Sequence, residues 1–182
     1  MTTLEHSPIG ASSMHRWSVC PGSVRLSHGI ETIQSAYAEE GTAAHELAAA
    51  LLRVRFNGDA ASDVALFGNF SKDDLAHIDT YVQYVIEKTA VVGDTVLIEH
   101  EFNLKDIYPG CWGTADAVIW KPAVETLVVI DFKFGAGVLV MPNGNPQLRY
   151  YALGAMVTTP FRPKKVELVI VQPRCEHPAG PI

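Results

Sequence analysis

The sequence predicts an α/β protein, more narrowly an α+β protein, in which helices come first, three strands follow, and a helix and a strand complete the order. Two stretches rich in helix-forming residues occupy the first half, and apolar runs of strand length occupy the second half. There are four such apolar runs, and a helical pattern with a capping residue separates the last of them from the first three. With 182 residues, 48% of them hydrophobic, the chain can build one good core, so we expect a single domain over 1–182.

The N-terminal part, 1–34, is expected to form a helical extension outside the main core of 35–175. Two short helical turns are predicted between Ser12 and Ser27, interrupted by Pro21 and Gly22. The last residues, 176–182, are expected to form a short tail of low order.

A first long helix is predicted over 38–52, where alanine, leucine and glutamate predominate. Gly41, His45, Ala48 and Leu52 fall on one stripe at helical spacing, so that His45 is a single polar residue on a small, apolar face. A histidine in this setting is often a hydrogen-bonded core residue. The small neighbours would equally allow the helix to lie close to a sheet and bring His45 to a site there.

A loop is predicted from Asn57 to Asn69, and Ser71 then begins another helix as its N-cap, with two aspartates in the first turn. This helix should end near Val92, and its buried face is expected to consist of Leu75, Ile78, Val82, Val85 and Ile86. We assign it a structural role.

The stretch from Thr95 to Leu104 alternates as a strand. Alternation predicts one face with Val96, Ile98, His100 and Phe102, and an opposite face with Leu97, Glu99 and Glu101. Both glutamates are expected to be exposed, although one of them could contribute to a metal site.

Two further strand-like runs carry charges among apolar residues. One is 113–120, which contains Asp116, and the other is 128–133, which ends in Asp131-Phe132-Lys133. Because strand side chains alternate, Asp131 and Lys133 should point the same way while Phe132 points into the core. If the two runs pair as antiparallel neighbours, Asp116 approaches both charged residues.

Buried charges are costly unless they are paired or bind a metal ion, so these three residues require an explanation. A hard divalent cation relieves the repulsion between two carboxylates through oxygen ligands. A metal ion, an activated water and a nearby lysine are together suited to hydrolysing a phosphodiester. The simpler alternative is a structural ion pair between Asp131 and Lys133 at a strand end.

The next helix is predicted over 146–157, with Asn145 as its cap and Pro146 in its first turn. Gln147 and Tyr151 are four residues apart and therefore share one face of this helix. A glycine-rich segment from 135 to 145 precedes it and is expected to move on binding. The last strand is predicted over 165–171.

Charge and composition exclude several classes of protein. A net charge of −6 argues against a broad basic surface for nucleic acid, but it leaves room for a local basic groove. Three widely spaced cysteines form no C-x-x-C pair and are expected to be reduced thiols. We find neither a membrane-spanning run nor a signal pattern at the N-terminus, so we expect a cytoplasmic protein without a membrane partner.

Taken together, these motifs resemble those of RecB-like nucleases of the PD-(D/E)XK superfamily, and most closely those of its phage-associated exonucleases. The resemblance covers roughly 35–175 and rests on four motifs in the family's order: Gly41-x-x-x-His45, Gly113-x-x-Asp116, Asp131-Phe132-Lys133 and Gln147-x-x-x-Tyr151. It implies an αβββαβ core of the restriction-endonuclease-like type, with a mixed sheet flanked by helices.

The resemblance also implies a divalent-metal site for Mg²⁺ or Mn²⁺. Asp116 and Asp131 would be metal ligands, the Phe132 backbone carbonyl another, and His45 a further ligand or a neighbour of the ion. Lys133 would position the attacking water and stabilise charge on the scissile phosphate. Two polar side chains on the following helix would contact the DNA backbone or hold the lysine: Gln147 and Tyr151. Glu40 is a candidate for a residue that contacts these metal ligands and does not bind the ion itself.

The activity implied is an exonuclease that degrades linear DNA in phage recombination or repair. The alternatives are an endonuclease selective for DNA structure and a nuclease-like module that binds DNA or protein without catalysis. Basic residues considered as phosphate contacts are Arg149, Arg162, Lys164 and Lys165. Expected partners are DNA, a phage recombination or annealing protein, and further copies of the chain.

Two departures from the family pattern accompany this resemblance. Some relatives hold an iron–sulfur cluster on four terminal cysteines, whereas only Cys20 and Cys175 occupy such places, so no cluster is expected. The sequence also ends soon after the fourth strand. We expect either a compact version of the nuclease or a shortened chain, with a DNA-binding surface completed by oligomerisation.

Overall fold

The structure, a computed structural model, describes residues 7–30, 35–60, 70–177 and 180–182. Within these ranges, five α-helices and four strands follow one another, with short 3-10 turns at Ala11–Ser13 and Pro122–Val124. The elements are α1 (Met14–Trp17), α2 (Gly22–Leu26), α3 (Ala36–Asn57), α4 (Lys72–Lys88), β1 (Thr95–Asn103), β2 (Trp112–Lys121), β3 (Thr126–Phe132), α5 (Pro146–Thr158) and β4 (Lys165–Val171). The predicted order of helices, three strands, helix and strand is therefore confirmed.

The four strands form one mixed sheet in the order β1-β2-β3-β4. β1, β2 and β3 pair antiparallel, which confirms the predicted pairing of the two acid-bearing strands. β4 is parallel to β3, with Phe132 opposite Val171, and α5 lies between these two strands in the chain. A helical connection of this kind is what parallel neighbours require, because a tight turn cannot join them.

Helices cover both faces of the sheet, so the molecule is a mixed α+β structure with two apolar cores. α3 and α4 cover one face, where Leu52, Ile78 and Val85 pack with Ile119 and Val128. α5 covers the other face together with the N-terminal turn; its core contains Leu148, Ala155, Val129, Ile170 and Ala11. Among the described residues, no helix combines the length and the apolar character that crossing a bilayer requires.

The alternation predicted for β1 is wrong beyond its middle. Ile98 packs in the core beneath α3 and α4, whereas Phe102 lies in the core beneath α5. The physical reason is Glu99, whose φ of 45° lies in the left-handed region and reverses the side to which the following residues point. In β2 the buried face also changes, because Ala115 and Ala117 would share one face in a regular strand but belong to different cores.

The helix termini follow the predicted caps, with small corrections. Ser71 and Asp74 form a capping box at the start of α4, and the Asn145 side chain accepts a hydrogen bond from Leu148 at the start of α5. α4 ends at Lys88, earlier than expected, and Leu75 is exposed rather than part of the buried face.

Several expectations fall partly outside the described residues. The loop predicted from Asn57 to Asn69 includes 61–69, and the N-terminal extension includes 1–6 and 31–34, none of which the structure describes. The C-terminal tail was expected to have low order, but its residue Pro181 accepts a 2.8 Å hydrogen bond from the Gln172 backbone.

Candidate metal centre

Asp116 is the central residue of the site. It lies in β2 and is buried, and its two carboxylate oxygens have different partners. Oδ2 accepts a 2.6 Å hydrogen bond from the Phe132 backbone N–H, while Oδ1 lies 3.3 Å from His45 Nδ1. The carboxylate therefore connects β3 on one side with α3 on the other.

His45 and Glu99 complete a compact group around Asp116. His45 Nδ1 lies 3.9 Å from Glu99 Oε1, and one ligand atom from each of the three residues lies within 4.8 Å of the others. Of the two alternatives that the sequence left for His45, the structure has the one in which α3 lies close to the sheet, and the His45 ring lies 5.1 Å from the ring of Phe132. We call His45, Glu99 and Asp116 the ligand triad.

Asp131 and Lys133 lie beside the triad and point the same way, as strand alternation predicted. Asp131 is almost fully buried, and Lys133 Nζ lies 2.9 Å from its Oδ2. The ion pair that the sequence left as an alternative is therefore present, and the ammonium of Lys133 partly compensates the buried charge of Asp131.

A chain of hydrogen bonds holds the lysine from α5. Lys133 Nζ donates to Gln147 Oε1 at 3.1 Å, and Gln147 Nε2 donates to Tyr151 Oη at 3.0 Å. The tyrosine hydroxyl thereby fixes which end of the Gln147 amide faces the lysine. The structure thus places the two polar residues of α5 around Lys133.

Crowding of carboxylates changes the proton affinity of the site. Burial, reinforced by the charge of Asp116, raises the pKa of Glu99 to about 7. Burial also raises the pKa of Asp131 to about 6, and the ammonium group of Lys133 limits this rise. Both carboxyl groups therefore hold their negative charge less readily than usual, as expected where negative charges accumulate without enough cations.

The pKa values of the two basic groups, His45 and Lys133, are also raised, so these groups hold their positive charge more readily than usual. Burial lowers the pKa of His45, but the Asp116 carboxylate outweighs it and brings the pKa to about 9. Burial likewise lowers the pKa of Lys133, and the charge of Asp131 more than compensates, so the net shift is upward. Burial disfavours ionised Asp116, yet His45 and the Phe132 N–H lower the pKa of this carboxyl overall.

The residues present fit a divalent cation. The triad offers one imidazole nitrogen and carboxylate oxygens, a mixture that suits Mn²⁺ and also supplies the oxygen ligands that Mg²⁺ prefers. Asp131 adds a buried carboxylate beside the triad, and its only described cationic partner is Lys133. The Phe132 N–H points to Asp116, and in an extended strand the carbonyl of the same residue points toward the same neighbouring strand. That carbonyl remains a predicted ligand.

Glu99 is the main residue that the sequence did not single out. Its position was weighed only as one of two strand acids that could join a metal site. Glu99 has a left-handed backbone where the register of β1 and β2 is interrupted, and its carboxylate lies within 4.8 Å of that of Asp116. The available signal for this residue was a pair of acids on adjacent strands, but it could be recognised only once the register of β1 and β2 was known.

The remaining predicted site residues lie away from the triad. Lys165 begins β4 opposite Thr126, so that five residues of β3, about 17 Å of extended chain, separate it from Asp131. Lys164 pairs with Glu125 at the same end of the sheet. A DNA contact by either lysine would therefore be remote from the triad.

Two other arginines and Glu40 also have identified surroundings. Arg149 lines an apolar cavity beside α1 and α2, and Arg162 donates hydrogen bonds to the carbonyls of Thr159 and Phe161. Glu40 forms a 3.2 Å ion pair with Arg174 instead of contacting the triad.

Two hollows flank the triad. One, of about 320 Å³, is lined by His45, Lys133, Gly41 and the segment from Gly135 to Val140. The other, of about 240 Å³, is lined by Glu99, Trp112 and Tyr151 together with the N-terminal turn. The first hollow is here called the lysine cleft. Ligand groups thus face open space on two sides, as a site for an extended substrate requires.

Residues 6–179 match the family described as "Protein of unknown function (DUF2800)", which spans nearly the whole chain. This description assigns neither an activity nor a ligand, so chemical roles must be argued from the geometry of the triad and its neighbours.

Proposed function

Because the chain belongs to the DUF2800 family, described as of unknown function, we propose its activity from the metal centre: a divalent-metal-dependent deoxyribonuclease that hydrolyses DNA phosphodiester bonds. One observation carries the proposal. The ligand atoms of His45, Glu99 and Asp116 converge within 4.8 Å, beside a lysine that is 2.9 Å from a buried carboxylate.

The triad and Asp131 would hold the cation, with the Phe132 carbonyl as a further predicted ligand. When bound, a divalent ion supplies Lewis-acid polarisation of the phosphodiester and makes the attacking water more acidic. His45 must be neutral to act as a ligand, so it gives up its proton as the ion enters.

Lys133 acts as a cation in this proposal. Its pKa is raised, so the side chain is protonated at neutral pH and stabilises the charge that develops on the scissile phosphate. Gln147 holds the ammonium group from the α5 side, and Tyr151 fixes the orientation of the Gln147 amide. These contacts position the charge before the substrate arrives. Such preorganisation of charge is the source of most of the rate enhancement in sites of this kind.

The four sequence motifs support a nuclease of the RecB-like type, with a PD-(D/E)XK fold. Their elements occur in the order that this fold requires, and a mixed sheet flanked by helices is compatible with it. By this resemblance we propose an exonuclease that processes linear DNA ends in phage recombination or repair, with Mg²⁺ or Mn²⁺ as cofactor. An endonuclease and a non-catalytic binding module remain the competing proposals.

The test is digestion of end-labelled linear duplex and of closed circular DNA, with Mg²⁺, with Mn²⁺ and with chelator. Lys133→Ala should abolish cleavage and leave folding intact. Lys88→Ala is the matched control, because Lys88 also forms an ion pair with a carboxylate, Glu167, outside the triad. Metal-dependent loss of linear DNA alone supports the exonuclease. Cutting of the circle would favour the endonuclease, and binding without cleavage of either DNA would favour the binding module.

A further inference from the structure

We propose that Arg174 is a phosphate-binding residue for the DNA strand that leaves the metal centre. This inference rests on the proposed nuclease function and deepens it by assigning a second contact with the same substrate. Arg174 follows β4 by three residues and was not among the basic residues that the sequence suggested for DNA.

Two contacts hold the guanidinium group in place. Arg174 Nη1 lies 3.2 Å from Glu40 Oε1, and the guanidinium carbon lies 4.5 Å from the centre of the Phe134 ring. The side chain is 24% exposed, compared with 78% for Lys164 in its ion pair with Glu125. A cation held from two sides loses little conformational freedom on binding an anion, whereas a freely moving lysine loses more.

Arg174 is connected to the triad through a short series of aromatic contacts. The Phe134 ring lies 6.0 Å from Phe132, and Phe132 lies 5.1 Å from His45. Each strand of DNA carries one phosphate per about 3.4 Å of helix rise. A strand cut at the triad would therefore pass Arg174 within a few nucleotides.

A hollow suited to a strand lies at Arg174. Its volume is about 880 Å³, and its lining includes His77 and Thr80 from α4, Ala136, Arg174 and one acid, Glu176. Ala136 lies between Gly135 and Gly137, which line the lysine cleft, so the two hollows meet the same segment of the chain.

The chemistry of the hollow favours a phosphate group. Arginine carries five N–H donors in a planar fork that matches phosphate oxygens, and the Glu40 contact involves a single nitrogen of that fork. The net charge is −6, and three acids, Glu99, Asp116 and Asp131, lie in or beside the triad, so a bound strand needs a local cation beyond Lys133. Glu40 then has a role of its own: it orients Arg174 in the absence of DNA.

The experiment measures binding of a fluorescent single-stranded oligonucleotide and of a duplex, with chelator present, over a series of salt concentrations. Lys133→Ala serves as the background, so that no cleavage interferes. Adding Arg174→Gln should weaken binding and reduce the slope of log K against log salt by about one phosphate contact, 0.7 for single strands and 0.9 for duplex. Arg174→Lys should retain part of the slope.

Lys88→Gln is the matched control, because Lys88 is likewise held by a carboxylate at 2.6 Å and by an aromatic ring, that of Tyr84. It should leave affinity and slope unchanged. An Arg174→Gln variant that behaves like this control would overturn the inference. The inference would also be overturned if free inorganic phosphate bound at Arg174 while Arg174→Gln had no effect on DNA binding.

A second variant covers the case in which Arg174→Gln does not fold. Glu40→Gln keeps a side-chain oxygen that can accept from the guanidinium and so keeps Arg174 oriented, but it removes the negative charge that competes with a phosphate. The variant should therefore keep the fold and tighten DNA binding. Glu167→Gln, its counterpart at Lys88, should not. Unchanged binding by Glu40→Gln would contradict the role of Arg174. If the natural chain neither binds nor cleaves DNA, the proposed function itself fails; if it cleaves and only the Arg174 effect is missing, this inference alone fails.

Discussion

Glu99 and Asp116 lie at a break in the register of β1 and β2, between the pairs Ile98–Ala117 and His100–Ala115, and both strands exchange their buried faces there. Glu99 has a left-handed backbone with a φ of 45°, a conformation that costs a residue other than glycine on the order of 1–3 kcal/mol. The strain places two carboxylates side by side next to His45. A fold accepts such an arrangement where it serves binding, and we interpret it as preorganisation for a cation.

Replacing Glu99 by Gln should separate stability from metal binding. The variant removes a carboxyl group whose pKa burial and Asp116 raise to about 7, so the metal-free protein should melt higher by on the order of 2 °C. Its affinity for Mn²⁺ should fall by more than roughly tenfold, because a ligand is lost. Calorimetry with and without Mn²⁺ measures both effects.

Glu101→Gln is the control for this prediction, since Glu101 is two residues away in the same strand and is exposed. Glu101→Gln should change neither the melting temperature of the metal-free protein nor the affinity for Mn²⁺. Equal behaviour of the two variants would exclude Glu99 from the ligand triad.

Tyr151→Phe should slow cleavage without preventing it. The substitution removes the hydroxyl that accepts from Gln147 Nε2, and the amide can then turn its oxygen away from Lys133. We expect a fall in kcat of about 10–100-fold, the range typical of residues that orient a functional group, with little change in KM. Tyr150→Phe is the control, because its hydroxyl contacts Cys111 instead. A normal kcat for Tyr151→Phe would remove this hydroxyl from the mechanism.

The stability of the metal-free protein should fall as pH rises from about 6.5 to 9. Burial opposes protonation of His45, but Asp116 raises its pKa to about 9 in the folded state, against 6.5 for the free side chain. The folded state therefore keeps a proton that the unfolded state has lost, and its contribution to stability is complete below 6.5 and disappears through 9. Urea denaturation in chelator at several pH values measures this slope.

His45→Asn should flatten that pH dependence. Titration calorimetry in buffers of different ionisation enthalpy adds an independent check, because binding of Mn²⁺ at neutral pH should release close to one proton from His45 and about half a proton from Glu99, and His45→Asn should remove the larger part. A pH profile that His45→Asn leaves unaltered would mean that another group is responsible.

Two glycines in helices should respond in opposite ways to alanine. A Cβ at Gly154 of α5 would lie 2.7 Å from the Cβ of Phe102, so Gly154→Ala should reduce the free energy of unfolding by about 1–3 kcal/mol. A Cβ at Gly41 of α3 meets no atom within 4 Å, and alanine there should stabilise the helix by about 0.5–1 kcal/mol.

Gly41 lines the lysine cleft, so the added methyl group would occupy space next to His45. We therefore expect Gly41→Ala to raise KM for DNA while it raises stability, as chemical denaturation and steady-state kinetics can establish. A stabilised variant with an unaltered KM would show that substrate does not enter this cleft.

Features that depend on local periodicity could be predicted from the sequence. The spacing of Asp131 and Lys133 requires only strand alternation, and that of Gln147 and Tyr151 only a helical turn. The structure brings these four residues together with Asp116 and His45. Their catalytic roles are still predictions.

Features that depend on tertiary contacts could not be predicted. Glu99 reaches the triad because its backbone departs from the regular strand, and a pattern of alternation assumes that no such departure occurs. Arg174 receives its partners, Glu40 and Phe134, from distant parts of the chain. Lys165 shows the converse, since its charge is evident from the sequence but its distance from Asp131 depends on the register of β3 and β4.

The most direct test of the central claim is anomalous diffraction from crystals of the protein soaked in Mn²⁺. The account predicts an anomalous peak between His45 Nδ1 and the carboxylates of Glu99 and Asp116, with Asp131 adjacent, and its loss in Glu99→Gln crystals. A peak elsewhere, or no peak at the triad at saturating Mn²⁺, would contradict the metal centre and the nuclease proposal that depends on it.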